Sequence, residues 1–233
     1  FARDMQDARL SMNRLGEVRD KPDEEEPTKQ LIREVPVGKD LRIENLNFKY
    51  DPLSEFPTLD NINLEIKAGK QTAVVGMSGS GKTTVTSILM SCLENVAPFK
   101  VGPDYIDTTY HEIFTGNKSH NLDIFMVGEE NVRNIFEIYS KNKNIAVVEG
   151  VMGLFDGLSN EFDNFSTAHV ARILNIPVIL VISAKAISTS CAAIALGFKM
   201  LDPRINICGV ILNNVSSQRH YLSLKQAIEK YAD

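Results

Sequence analysis

GMSGSGKT, residues 76–83, joins the apolar run TAVVG (72–76) to the helix-like run TTVTSILMSCL (83–93). The spacing Gly-x4-Gly-Lys-Thr between a strand and a helix matches the P-loop pattern. Its glycines allow successive backbone N–H groups to turn toward phosphate oxygens at the positive end of the helix. Lys82 is expected to reach the terminal phosphates, and the Thr83 hydroxyl to ligate Mg²⁺. The sequence therefore predicts binding of Mg²⁺ and a nucleoside triphosphate, ATP, by Gly76, Ser78, Gly79, Ser80, Gly81, Lys82, Thr83 and Thr84.

Downstream of the loop, apolar strands alternate with helical patterns of about a dozen residues. The order is NVAPFKV (95–101), helix 128–140, IAVVEG (145–150), helix 166–174, PVILVIS (177–183), helix 188–200, INICGVIL (205–212) and helix 220–231. Continuously apolar strands separated by helices indicate a mainly parallel sheet covered on both faces. The fold class is therefore α/β, a P-loop NTPase domain, which we place at 70–233.

Upstream of the loop, the pattern differs. Residues 1–20 have apolar positions at helical spacing, and the charged, proline-flanked segment 21–30 resembles a linker, so 1–39 is predicted to be helix and linker. The runs DLRIENLNFKY (40–50) and LDNINLEI (59–66) alternate apolar with polar residues around a turn-rich segment. The segment 40–69 is therefore predicted to form a short antiparallel β appendage.

Composition excludes several classes of protein. The net charge of −5 disfavours a nucleic-acid partner, since phosphate contacts need clustered Lys and Arg. No run approaches the roughly 20 apolar residues that span a bilayer, so no membrane span is predicted. The three cysteines form no CxxC pair, which disfavours zinc and disulfides. Because the chain begins at Phe1 without a signal-peptide pattern, we expect a piece of a cytoplasmic protein, or the soluble part of something larger.

Two resemblances meet at the loop. The segments LRIENLNFKY (41–50) and TLDNINLEIKAGKQTAVVGMSGSGKTT (58–84) resemble the nucleotide-binding domain of an ABC exporter. In that family an aromatic residue at the end of the first strand stacks on adenine, and Tyr50 occupies that place. No LSGGQ-like signature, strand ending in Asp-Glu or switch histidine follows, so this resemblance ends near Thr84.

The downstream part resembles cobyrinic acid a,c-diamide synthases and related amidoligases. The motifs are VAPFKVGPDYIDTTYH (96–111), VVEGVMGLFDG (147–157), STAHVARILNIPVILVI (166–182), AAIALGFK (192–199) and GVILNNVSSQRHY (209–221). The chain therefore resembles a join of two families near 76–92, and the sequence leaves open whether the join is natural, engineered or an assembly error.

The second resemblance implies an amidoligase: ATP phosphorylates a tetrapyrrole carboxylate, and ammonia then displaces phosphate to give the amide, as in cobalamin biosynthesis. The catalytic candidates are Asp104, Asp107, Glu149 and Asp156, together with Lys82. Glu149 ends an apolar strand beside the loop, so it is the first candidate for the metal, with Thr83 and Asp104. The alternatives are structural: Asp104 and Asp107 as turn caps, and Glu149 and Asp156 as caps of the following helix.

For four further residues of the matched motifs, the sequence suggests a role less directly. Asn213 is expected to read the adenine edge, in competition with Tyr50. Lys100 is a candidate cation for phosphates or substrate carboxylates, and His111 and His220 for contacts with an acidic substrate. Ser183 stands where the family usually has aspartate, so any interaction made there is in doubt.

The expected partners are a tetrapyrrole, a glutaminase domain outside this sequence, and a homodimer that the sequence leaves open. Without a glutaminase domain, free ammonia would be the nitrogen source. Two other functions stay open: the ATP-binding portion of an exporter, and a non-catalytic nucleotide-binding chimera.

Overall fold

The computed structural model describes residues 41–49, 59–66, 72–77, 79–158 and 164–232. The predicted helix and linker of 1–39 lie outside these residues, as do Tyr50 and Ser78. The strands are β1 (Leu41–Phe48), β2 (Leu59–Ile66), β3 (Thr72–Gly76), β4 (Val96–Val101), β5 (His120–Leu122), β6 (Ile145–Glu149), β7 (Val178–Ser183) and β8 (Ile207–Asn213). The helices are α1 (Lys82–Ser91), α2 (Ile106–Thr115), α3 (Ile124–Ser140), α4 (Thr167–Leu174), α5 (Ser190–Leu201) and α6 (Gln218–Tyr231).

Strands β3 to β8 form one sheet in the order β5-β4-β6-β3-β7-β8, and every pairing within it is parallel. Strand β3, which leads into the P-loop, lies between β6 and β7. Because the carboxyl ends of parallel strands meet at one edge, the ends of β6 and β7 flank the loop. The predicted α/β fold with a parallel sheet is confirmed.

Alternate side chains of the central strands enter two separate cores, which explains their continuously apolar sequences. On one face Ala73, Val148 and Leu180 pack with residues of α3 to α6. On the other face Val74, Val147 and Ile179 pack with Val85 and Leu89 of α1. Among the described residues, no helix is long and apolar enough to cross a membrane.

The upstream strands β1 and β2 form the predicted antiparallel pair, with Arg42 opposite Glu65 and Phe48 opposite Leu59. The sequence suggested an appendage, but Leu59 and Ile62 are 0% and 2% exposed and belong to the same core as α1. A β-carbon added at Gly81 of the P-loop would lie 3.4 Å from Cδ2 of Leu59. Leu59 of the hairpin therefore lies close to the P-loop.

Replacing Leu59 with alanine is expected to reduce the free energy of unfolding by about 2–5 kcal/mol, because a fully buried leucine leaves a cavity. Urea denaturation followed by circular dichroism would measure the loss. Ile138→Ala is the matched control, since Ile138 is 64% exposed and such sites change by about 0.5 kcal/mol or less. Equal effects in the two variants would show that the hairpin does not stabilise the domain.

The elements between β4 and β6 differ from the prediction. No helix was predicted between residues 101 and 128, but helix α2 begins at Ile106 and contains Asp107. Helix α3 begins at Ile124 rather than 128, capped by the Asp123 side chain, and contains a non-helical Gly128 with φ 79° and ψ 163°. Strand β5, only three residues long, was not predicted.

Candidate nucleotide-binding site

The P-loop wraps the N-terminus of α1 in the conformation that its glycines permit. Gly79 and Gly81 have φ of 78° and 88°, a region that residues with side chains rarely adopt. Gly81 is the N-cap of α1, and its carbonyl accepts from the Val85 amide at 2.9 Å. A β-carbon at Gly76 would collide with Oγ of Ser80 and with the Val181 carbonyl, so the loop packs tightly on β7. Anion binding by the amides at this helix end, which the sequence predicts, stays a prediction.

Asn213 was predicted to read adenine, but its amide is engaged within the fold. Its Nδ2 donates to the Ser80 carbonyl at 2.9 Å, and its Oδ1 accepts from the Asn214 amide at 2.9 Å. The side chain is 1% exposed. Asn213 therefore connects the P-loop to the end of β8, and its contact with adenine stays a prediction.

Lys82 points across the loop toward the segment that follows β6. Its Nζ donates to the Met152 carbonyl at 3.1 Å, where Met152 has a positive φ of 50°. The Asp156 carboxylate shapes this turn by accepting from the Gly153 amide at 2.9 Å. Burial lowers the pKa of Lys82, and the charge of Lys100 lowers it further, against the carboxylates that raise it. The structure thus gives exposed Asp156 a turn-closing role, and the following helix is capped by Ser166 instead.

Glu149 lies at the end of β6 and is 0% exposed. Its Oε1 accepts from the Thr83 hydroxyl at 2.6 Å and lies 3.2 Å from Nζ of Lys100, while its Oε2 lies 2.7 Å from Nε2 of His111. Burial alone would raise the pKa of Glu149. The hydrogen bonds from His111 and Thr83 and the charge of Lys100 outweigh burial, so the pKa lies below its ordinary value. Glu149 is therefore an ionised carboxylate at the P-loop, and the alternative of a helix cap is wrong.

Lys100 connects the other acidic candidates to Glu149. It is 2% exposed, and its Nζ lies 2.5 Å from Oδ2 of Asp107 and 3.9 Å from Oδ2 of Asp104. It also donates to the Gly150 carbonyl at 3.3 Å. In the structure Lys100 pairs with the buried Glu149 and the half-buried Asp107, and its contact with phosphates or substrate stays a prediction.

Asp104 and Asp107 have different environments. Oδ1 of Asp104 accepts from the Ile106 amide at 2.9 Å and from the Asp107 amide at 3.3 Å, which is the turn-capping role that the sequence left open. The Asp107 carboxylate makes an ion pair with Lys100, whereas the sequence left open that it caps a turn. The two carboxylates thus share the lysine, close to the P-loop.

The two candidate histidines both have hydrogen-bond partners within the fold. His111 is 0% exposed and lies behind Glu149. His220 bridges Ser216 and Ile187, with Nε2 2.7 Å from the Ile187 carbonyl. Sequence reasoning missed the Glu149–His111 contact, because a histidine within a matched motif does not reveal which way it points.

The predicted metal ligands are partly assembled. Thr83 and Glu149 present oxygens 2.6 Å apart, close to the spacing of about 2.9 Å for two neighbouring ligands of an octahedral Mg²⁺. Asp104 instead contacts backbone amides and Lys100. Within the described ranges, no three His, Cys, Asp or Glu side chains form a group that could hold a metal. A metal here would therefore depend on phosphate oxygens and water for its remaining ligands.

A cleft of about 360 Å³ opens beside the loop. It is bounded by P-loop residues, by the end of β7 and by apolar side chains, including Leu154, Ile194 and Phe198. Oγ of Ser80 is buried at the loop and has no hydrogen-bond partner among the described residues. The cleft has room for part of a ligand next to the phosphate-binding amides.

The parallel sheet and the strand–loop–helix unit, with Gly76, Lys82 and Thr83 at P-loop spacing, define a P-loop nucleotide-binding domain. The family model for the CobQ/CobB/MinD/ParA nucleotide binding domain matches residues 72–233. The chain belongs to this family.

Curated relatives extend the comparison. The cobyrinate a,c-diamide synthase of Fusobacterium nucleatum is 59% identical over 154 residues, covering 66% of this chain and 34% of that protein. The synthase of Listeria innocua is 51% identical over 161 residues, covering 67% and 36%. Among solved structures, chloroplast FtsY from Physcomitrella patens matches with a TM-score of 0.41 and 17% identity over 68% of this chain and 52% of that chain. The chain thus spans about a third of the length of these synthases, and the exporter-like resemblance upstream has no support from these matches.

Proposed function

We propose that this chain carries the ATP-binding part of an ATP- and Mg²⁺-dependent amidoligase that acts on a carboxylate of cobyrinic acid or a closely related tetrapyrrole. The observation that carries the proposal is the buried Glu149 carboxylate, which lies 2.6 Å from the P-loop hydroxyl of Thr83 and 3.2 Å from Nζ of Lys100. The names of the relatives supply the substrate class.

The proposed ligands for Mg²⁺ are Thr83 and Glu149, with ATP phosphates and water completing the shell. When bound, the ion neutralises charge on the phosphates. Lys82 and the amides at the start of α1 are then expected to hold the terminal phosphate in place, which is the main requirement of phosphoryl transfer. Asp104 and Asp107 stay candidates for orienting substrate or metal-bound water, because both lie near this site through Lys100.

The proposed reaction has two steps. A substrate carboxylate oxygen bonds to the γ-phosphorus, and the bond to the β,γ-bridging oxygen breaks to release ADP. Ammonia then attacks the acyl carbon, loses a proton, and expels phosphate to leave the amide. We expect ammonia to come from a glutaminase domain in the complete enzyme and from free ammonium for this chain alone. A homodimer and a cytoplasmic location stay predictions.

The test is ADP release by the purified chain with Mg²⁺ and ammonium, with and without cobyrinic acid. The proposal expects release that depends on cobyrinic acid. A folded, ATP-binding chain whose ADP release is indifferent to cobyrinic acid would contradict the proposal, leaving a nucleotide-binding domain without this activity. The exporter alternative rests only on the resemblance of 41–84, and no described feature of the site favours it.

A further inference from the structure

His111 is a polar residue in a position where a core side chain would be expected. Helix α2 buries only Thr108 and His111, whereas its apolar residues Tyr110, Ile113 and Phe114 are 50%, 69% and 43% exposed. A buried imidazole costs free energy unless both ring nitrogens find partners. Nε2 of His111 lies 2.7 Å from Oε2 of Glu149, and Nδ1 lies 3.1 Å from Oγ of Ser119. The ring therefore connects Glu149 to Ser119 through the interior.

The surroundings of Glu149 indicate the direction of its hydrogen bond to His111. The Glu149 carboxylate accepts from the Thr83 hydroxyl and lies 3.2 Å from Nζ of Lys100, so we take Nε2 of His111 as the donor to it. Ser119 is itself anchored, since its amide donates to Oε1 of Glu112 at 3.3 Å. Ser119, His111 and Glu149 thus form a connected chain of contacts.

The two carboxylate oxygens of Glu149 have separate tasks. Oε1 faces Thr83 and Lys100, and Oε2 faces only His111 among the hydrogen bonds described. Holding Oε2 fixes the plane of the carboxylate and so aims Oε1 at the Thr83 hydroxyl. Groups that hold a metal-ligating side chain in this way typically contribute about 10- to 100-fold to metal affinity or activity.

We propose that His111, oriented by Ser119, is a positioning residue that holds Glu149 with Oε1 directed at the P-loop, and so sets the affinity of the site for Mg²⁺ with ATP. The proposal rests on the proposed function only in taking Glu149 as a metal ligand. It requires neither a tetrapyrrole nor ammonia.

The test compares His111→Gln with His111→Leu in the full 233-residue chain. Glutamine keeps a donor near the position of Nε2, whereas leucine preserves the volume and has no donor. The measurement is the affinity for a fluorescent ATP analogue as a function of Mg²⁺ concentration and in EDTA. The leucine variant is expected to need about 10- to 100-fold more Mg²⁺ for half-maximal tightening, with its affinity in EDTA unchanged. The glutamine variant is expected to recover most of the wild-type Mg²⁺ response.

Two further variants keep the result interpretable. His169→Gln alters a second His–Glu contact, between His169 and Glu129 at 3.0 Å, and is expected to leave the Mg²⁺ response unchanged. Ser119→Ala removes the hydrogen bond between Ser119 and His111 and keeps the imidazole ring, so it is expected to raise the Mg²⁺ requirement by less than His111→Leu. If the leucine variant does not fold, the Mg²⁺ response of Ser119→Ala tests the proposal in its place.

Equal impairment of the glutamine and leucine variants, or unchanged Mg²⁺ dependence in both, would overturn the proposal and leave His111 as a packing residue. A wild-type ATP affinity indifferent to Mg²⁺ would overturn it too. This test measures binding, so it is separate from the test of the proposed function. A wild-type chain that binds ATP in a Mg²⁺-dependent way but shows no cobyrinate-dependent ADP release would refute the proposed function and leave the role of His111 standing.

Discussion

Glu149→Gln is expected to lower cobyrinate-dependent ADP release by about 10²- to 10³-fold, the usual cost of removing one group that stabilises transition-state charge. The substitution keeps the shape of the side chain and removes its negative charge. The Glu149 carboxylate lies 2.6 Å from the Thr83 hydroxyl, so the loss falls on the proposed metal position. Steady-state rates of the wild-type and variant chains, measured at saturating ATP and Mg²⁺, give the ratio.

The same variant is expected to stay folded and to bind ATP in EDTA as the wild type does. Lys100 is buried but keeps its ion pair with Asp107, so glutamine at 149 does not leave the lysine without a counter-charge. The matched control is Glu130→Gln on the exposed face of α3, which should change neither rate nor stability. A variant with near wild-type turnover would show that Glu149 does not support phosphoryl transfer.

Lys100→Met is expected to reduce the free energy of unfolding by about 3–5 kcal/mol, as is usual when one partner of a buried ion pair is removed. Methionine matches the apolar part of the lysine but leaves the carboxylates of Asp107 and Glu149 to repel each other. Glu149 is 0% exposed, so water cannot screen the repulsion effectively. Urea denaturation measures the loss.

A double-mutant cycle separates this charge effect from packing. Adding Glu149→Gln to Lys100→Met is expected to restore part of the lost stability, because the buried charge left unpaired is removed. Lys225→Met is the control: its pair with Glu229 is 3.6 Å long and solvent-exposed, so about 1 kcal/mol or less should be lost. A similar loss for Lys100→Met and Lys225→Met would contradict the buried network.

Local patterns predicted the framework of the domain. The apolar runs that become β3, β6 and β7 are buried on both faces, which continuous hydrophobicity indicates directly. The glycine spacing predicted the P-loop, and the position of Glu149 at a strand end predicted its place beside Thr83. Each of these inferences used residues close together in sequence or the general geometry of parallel sheets.

The remaining features depend on contacts that local patterns do not contain. Helix α2 was missed because it buries Thr108 and His111 while exposing Ile113 and Phe114, the reverse of the usual amphipathic pattern. The role of Asn213 depends on a hydrogen bond to Ser80, which is 133 positions away. Leu59 looked like part of an appendage, since the sequence of a hairpin does not show which core receives its apolar face.

The most direct test of the central claim is to replace ammonium with hydroxylamine and to examine cobyrinic acid by mass spectrometry after incubation with the chain, ATP and Mg²⁺. Hydroxylamine traps an acyl phosphate as a hydroxamate. The account predicts a cobyrinic hydroxamate that requires ATP and the wild-type chain and that is nearly absent with Glu149→Gln. ATP consumption by a folded wild-type chain without any hydroxamate would contradict the transfer of phosphate to a tetrapyrrole carboxylate.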